Sequence, residues 1–76
     1  MVIARGRISS MEGDRARVTV PERDGAVTLP LAIGGGALAY RIEDGALVAE
    51  PPEIGALVAF CEYPDGEGVI LARLED

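Results

Sequence analysis

The sequence predicts an all-β domain, a small barrel of five or more short strands, and three observations predict it. Apolar residues recur at every second position in several stretches, which is the period of a strand and not of a helix. Turn signals built from Gly, Pro, Asp and Glu recur at spacings of about 8 to 12 residues, as they do in small sandwiches and barrels. The chain has 76 residues, one domain over residues 1–76, and at that size closing the sheet is the economical way to remove exposed edges. Hydrophobic residues make up 49% of the chain and aromatic ones only 4%, so the interior must be built from Val, Leu, Ile and Ala. A domain this small buries only about 60% of the surface its unfolded chain exposes. Its core is therefore thin, and partner chains would strengthen it.

The first strand covers residues 2–11, with Ala4, Gly6, Ile8 and Ser10 on one face and Ile3, Arg5, Arg7 and Ser9 on the other. Residues 14–20 repeat the alternation, with Ala16, Val18 and Val20 against Arg15, Arg17 and Thr19. A three-residue loop, Glu12-Gly13-Asp14, pairs Ile8 with Val18 and Arg7 with Thr19, whereas a two-residue loop sets Ile8 against Arg17. The three-residue loop is the expectation. Pro21 lacks a backbone donor and ends or edges the second strand, and Glu22-Arg23-Asp24-Gly25 reads as a turn. Residues 26–33 form a third strand, in which Pro30 implies a sheet edge or a bulge.

Gly34-Gly35-Gly36 is expected to be the most flexible point of the chain, with neither strand nor helix running through it. Two readings stay open for the residues that follow. Leu38, Tyr40 and Ile42 alternate, turn at Glu43-Asp44-Gly45 and return through residues 46–49 as a hairpin, or residues 37–42 make a short helical turn. The hairpin is preferred. Glu50-Pro51-Pro52-Glu53 must be extended, because each proline pushes its predecessor toward β or polyproline geometry.

The final hairpin, residues 55–74, turns at Tyr63-Pro64-Asp65-Gly66. Pairing Glu62 with Glu67 puts Val58, Phe60, Val69 and Leu71 on one face and Leu57, Ala59, Ile70 and Ala72 on the other. Both faces are apolar, although a half-solvated antiparallel strand normally alternates. One face is expected to be core and the other an interface with a neighbouring chain, since exposed apolar strips of that size are unusual on monomers. Together the strands predict a five-stranded antiparallel barrel of the OB type, with an extra hairpin or short helical turn between strands 3 and 4.

Reactive groups are scarce. The formal net charge is −6, all basic residues are arginine, and there is no histidine, which removes the commonest general base and metal ligand. Ser9, Ser10, Cys61 and the carboxylates fall at no spacing linked to a catalytic arrangement, so no enzyme, cofactor or metal is expected. Asp65-Gly66-Glu67-Gly68 falls short of the oxygen count calcium requires and reads as a turn held by Asp65. Gly34-Gly35-Gly36 lacks the lysine and following helix of a phosphate loop. The lone Cys61 can form no intrachain disulfide and reads as a small core hydrophobe.

Arg5, Arg7 and Arg17 share the outer face of the first hairpin near Arg15 and could follow an anion or a nucleic-acid backbone. The aromatic platforms such binding uses are missing and the overall charge opposes it, so arginines paired with neighbouring carboxylates are the expectation. No segment is long enough to be a signal peptide or to span a bilayer. The chain is expected to be cytoplasmic when made.

Three stretches resemble the OB-fold domain of phage baseplate assembly proteins of the spike-base type and related short proteins of tail gene clusters. Arg5-Gly6-Arg7-Ile8 leading to Ala16-Arg17-Val18-Thr19-Val20-Pro21 is similar to that family's opening. Val27-Thr28-Leu29-Pro30-Leu31 is similar to its third strand. Pro52-Glu53-Ile54-Gly55-Ala56-Leu57-Val58-Ala59-Phe60, followed by Asp65-Gly66-Glu67-Gly68-Val69-Ile70-Leu71-Ala72, resembles its ending. Ala56 departs from the polar residue usual there, and no β-helical spike follows. The resemblance implies a structural role in a tail baseplate, oligomerisation, commonly as a trimer, contacts with other tail proteins and a place in the virion tail.

Overall fold

The computed structural model describes residues 2–75. Eight strands form in chain order: β1 (Val2–Glu12), β2 (Arg15–Val20), β3 (Ala26–Val27), β4 (Leu31–Ile33), β5 (Ala39–Glu43), β6 (Ala46–Glu50), β7 (Leu57–Glu62) and β8 (Gly68–Arg73). β1, β7, β8, β4 and β2 pair in that order and β2 pairs back to β1, which closes a five-stranded barrel; β3 adds to β2, and β5 and β6 make a separate two-stranded ladder. The all-β, OB-like barrel with a hairpin between its third and fourth staves is thus the fold. It is mixed, not wholly antiparallel, because β4 and β8 run parallel. The chain leaves β4, makes the β5–β6 excursion and β7, and returns in the same direction, and only such a long crossover lets two staves pair in parallel.

The β1–β2 register pairs Ile8 with Val18 and Arg7 with Thr19, as apolar matching predicts, but the loop is not three residues long. Glu12 pairs with Arg15, leaving residues 13–14, with Gly13 at φ +65°, in the position where a two-residue loop calls for glycine. A bulge between Ile8 and Ser10 absorbs the difference. It also turns the strand so that Met11 packs against the core beyond Ile8.

The predicted third strand is broken in two. β3 pairs with the end of β2 and β4 with its start, with residues 28–30 between them outside the ladder. Pro30 cannot donate there, and the buried Thr28 takes over the pairing: its Oγ1 accepts the Val18 N–H (3.0 Å) and donates to the Leu29 carbonyl (2.8 Å). Pro21 opens a 3-10 turn, Pro21–Arg23, and so ends β2 as expected.

The glycine run is not a flexible gap. Gly35–Ala37 forms a 3-10 turn, and Gly34 N–H donates to the Ile70 carbonyl (2.9 Å). A Cβ on Gly34 or Gly36 would run into the Ile70 or Leu71 carbonyl. Close backbone approach to β8 is what requires glycine here.

The β7–β8 register is one residue from the expected one. Glu62 pairs with Gly68, Cys61 with Val69 and Phe60 with Ile70, and a bulge at Leu71 brings Ala72 opposite Ala59. The loop explains the shift: Gly66 N–H donates to the Tyr63 carbonyl (2.9 Å), Gly66 takes φ +89°, and Tyr63 N–H closes on the Glu67 carbonyl (2.7 Å). This is a three-residue connection with a left-handed glycine. Asp65 Oδ1 accepts the Glu67 N–H (2.9 Å), the turn role expected of it. The faces regroup accordingly, with Ile70 joining Val58 and Phe60 inside, and Val69 and Leu71 lying with Leu57, Ala59 and Ala72 outside. The barrel interior is Ile8, Ala16, Val18, Val20, Leu31, Ala37, Val58, Phe60 and Ile70.

Candidate interaction surface

The β5–β6 hairpin is the part of the chain that the barrel does not cover. Its two-residue loop is Asp44-Gly45, with both residues at positive φ (+50° and +78°), the pairing that twists a tight hairpin correctly. Tyr40 pairs with Ala49 and Ile42 with Leu47 on one face; Arg41 pairs with Val48 and Glu43 with Ala46 on the other. The second face is self-contained, since Arg41 binds Glu43 and Glu50, each at 2.9 Å. The first face is apolar and open: Ile42 is 78% exposed, Leu47 71% and Tyr40 55%. A lone two-stranded hairpin is marginal in water, and one with a bare apolar face more so.

Its root is held by Arg73 at the end of β8. Nε donates to the Ala37 carbonyl (3.0 Å) and one terminal nitrogen to the Glu50 and Pro51 carbonyls (3.0 and 3.1 Å). One planar guanidinium thus ties both strands' ends to the barrel.

The second surface is the outer wall of the barrel. Ile3 stands across from Cys61, Arg5 from Ala59 and Arg7 from Leu57, with Val69 and Ala72 one strand further on. Of the residues expected to form an interface, Val58, Phe60 and Ile70 are wholly buried in the core, while Leu57, Ala59, Val69, Leu71 and Ala72 lie on this wall, Leu71 being the most exposed of the five. Ile3 is 64% exposed beside them. Cys61 is free and buried, paired in the ladder between Ile3 and Val69.

The arginines are spread over several places. Arg5 and Arg7 line a groove of about 240 Å³ with Gly6, Pro21, Glu22 and Leu57, where Arg7 also donates to the Gly55 carbonyl (2.9 Å). Arg17 turns to Glu12 and the Thr28 carbonyl, Arg15 to Glu67, and Arg23 to Glu62, with Arg23 6.0 Å above the Phe60 ring centre. A larger groove of about 350 Å³ lies at the hairpin root, lined by Met11, Ala32, Ile33, Leu38 and Pro51 with Asp14 and Arg15 at its rim.

Among the described residues no group of three or more His, Cys, Asp or Glu is placed to hold a metal ion, and no helix is long and apolar enough to cross a membrane. Compared with protein-family models, with curated proteins and with solved structures, the chain finds no match.

Sequence reasoning placed a hairpin between strands 3 and 4 and set Leu38, Tyr40 and Ile42 on one face, but it did not single that face out as a surface. The available signal was the pairing of an alternating apolar strand with charged neighbours, and a strand facing the core carries the same signal.

Proposed function

We propose that this chain is a non-catalytic assembly module that works by binding other protein chains, copies of itself included. The observation that carries this reading is the bare apolar face of Tyr40, Ile42 and Leu47 on a hairpin outside the barrel. Exposed apolar area of this kind marks a contact surface. The resemblance of the strand motifs supports a setting in the baseplate of a phage or prophage tail, where the same resemblance implies a trimer and further tail proteins as partners. The scattered, carboxylate-paired arginines give nucleic-acid binding less support.

Light scattering at high micromolar concentration tests the reading. Wild-type protein is expected to weigh a multiple of 7.9 kDa, and the double variant Ile42→Asp/Leu47→Asp is expected to be a folded monomer. Salt-sensitive retention of the wild type on single-stranded DNA, with a monomeric mass, would replace this reading with a nucleic-acid one. The tail setting has its own check: genes for tail-tube, spike or baseplate proteins should flank the coding sequence.

A further inference from the structure

We infer that Asp44, at the tip of the β5–β6 hairpin, is a site of spontaneous backbone isomerisation to isoaspartate, and that this modification dismantles the hairpin. No partner chain is needed for this chemistry. The chain holds three Asp-Gly steps, at residues 24–25, 44–45 and 65–66. In such a step the glycine nitrogen can attack the aspartate Cγ, since no Cβ on the following residue stands in its way. The N–Cγ bond forms, the amide proton leaves to solvent, and a carboxyl oxygen departs as water, giving a five-membered succinimide. Water then adds to one of the two ring carbonyls. Addition at Cγ restores aspartate. Addition at the former backbone carbonyl leaves the chain running through Cβ and Cγ as isoaspartate, with no atom gained or lost overall.

The three steps differ in what holds them. Gly25 N–H donates to the Val20 carbonyl (3.1 Å) and Gly66 N–H to the Tyr63 carbonyl (2.9 Å). Asp65 is held as well, because its Oδ1 accepts the Glu67 N–H (2.9 Å). An amide bound in this way can neither lose its proton nor swing toward the side chain until the turn opens. Among the described residues, the Gly45 N–H and the Asp44 carboxyl find no hydrogen-bond partner, and both residues are exposed. Their setting widens the contrast. The other two turns join strands of the six-stranded sheet, whereas Asp44-Gly45 closes a separate two-stranded ladder, marginal in water by itself and therefore the readiest to open.

The product does not fit the turn. Isoaspartate adds one atom to the backbone of a two-residue loop whose positive φ at both positions (+50° and +78°) sets the twist of the ladder. The Glu43–Ala46 pair that closes the loop then loses its register, and the Tyr40, Ile42 and Leu47 face comes apart with it.

Ageing the folded protein for days to weeks at low micromolar concentration and neutral pH, then cutting after glutamate, tests this. Residues 23–43, 44–50 and 63–67 then carry one step each. Isoaspartate shows as a peptide of unchanged mass and shifted retention, and an isoaspartate carboxyl methyltransferase with a labelled methyl donor counts it. Each rate is taken relative to that of the same step in guanidinium chloride, which removes the influence of neighbouring residues. On that scale Asp44 should react about fivefold or more faster than Asp24 or Asp65, the factor that breaking one hydrogen bond of about 1 kcal/mol represents. Arg73→Met, which frees the hairpin root, should raise the rate at Asp44 alone. Molecules carrying the modification should lose amide shift dispersion at residues 39–50 and keep that of the barrel. Equal relative rates at the three steps, or a slower one at Asp44 than at Asp24 or Asp65, overturns the assignment. Modified molecules whose hairpin amides keep their wild-type shifts overturn the loss of the hairpin.

Discussion

Substituting aspartate on either face of β7 measures how sharply the barrel separates core from surface. Val58 is wholly buried in the same cluster as Phe60 and Ile70, whereas its neighbour Leu57 is half-buried on the outer wall opposite Arg7. Val58→Asp forfeits the burial of the valine, about 1.5–3 kcal/mol, and leaves a carboxylate without a partner in the core, several kcal/mol more. At about 0.05–0.15 kcal/mol per residue, a domain of this length has a total stability of about 4–11 kcal/mol. The variant should therefore be largely unfolded at room temperature. Leu57→Asp removes half-buried area on the side facing Arg7 and should cost about 1 kcal/mol. It should stay folded. Circular dichroism and urea titration follow the folding, and light scattering follows the mass. Equal unfolding by both substitutions, or a Val58→Asp protein melting within a few degrees of the wild type, would refute the assignment of faces.

Three further outcomes follow from the same geometry. Thr28→Val keeps the shape but strips the acceptor from the buried Val18 N–H, so the urea midpoint should fall by the equivalent of about 1–3 kcal/mol at constant slope, and Thr28→Ser should restore most of it. Arg73→Met removes three hydrogen bonds at the hairpin root, one part-buried and two exposed, worth about 0.5 kcal/mol or more each; the amides of residues 39–50 should lose their shift dispersion while those of the barrel keep theirs. Gly68→Ala drives a Cβ into the Cys61 carbonyl and should cost about 1–3 kcal/mol, whereas Gly35→Ala, whose Cβ meets only the Tyr40 hydroxyl at 3.9 Å, should be near neutral in thermal melts.

The barrel itself was legible because alternation carries both the strands and their inward faces. Ile8, Val18 and Val20 point where the period of two puts them, whereas in the broken third strand Leu31 is buried but Val27 and Leu29, in phase with it, are exposed and Thr28 is buried instead. Details that depend on what lies opposite were not legible. The β7–β8 register slipped by one because both faces of that hairpin are apolar, so a slip costs nothing in pattern and only the loop around Gly66 decides it. The bulge beyond Ile8 has no residue signature, and it allowed the predicted Ile8–Val18 pair to coexist with a loop one residue shorter than predicted. Gly34 and Gly36 suggested freedom, whereas their role is close approach to carbonyls of β8, some 35 residues further along the chain. The hairpin's exposure was hidden for a related reason. Tyr40, Ile42 and Leu47 have the pattern of a core-facing ladder, and only the closure of the barrel without them shows that they face outward.

Hydrogen exchange of the β5–β6 amides as a function of protein concentration tests the central claim most directly, because a bare two-stranded ladder exchanges freely and a covered one does not. The amides of residues 39–50 should be protected at high micromolar concentration and lose that protection on dilution, while the barrel amides change little. Exchange at residues 39–50 that is equally fast at every concentration would contradict the hairpin's role as a surface for assembly.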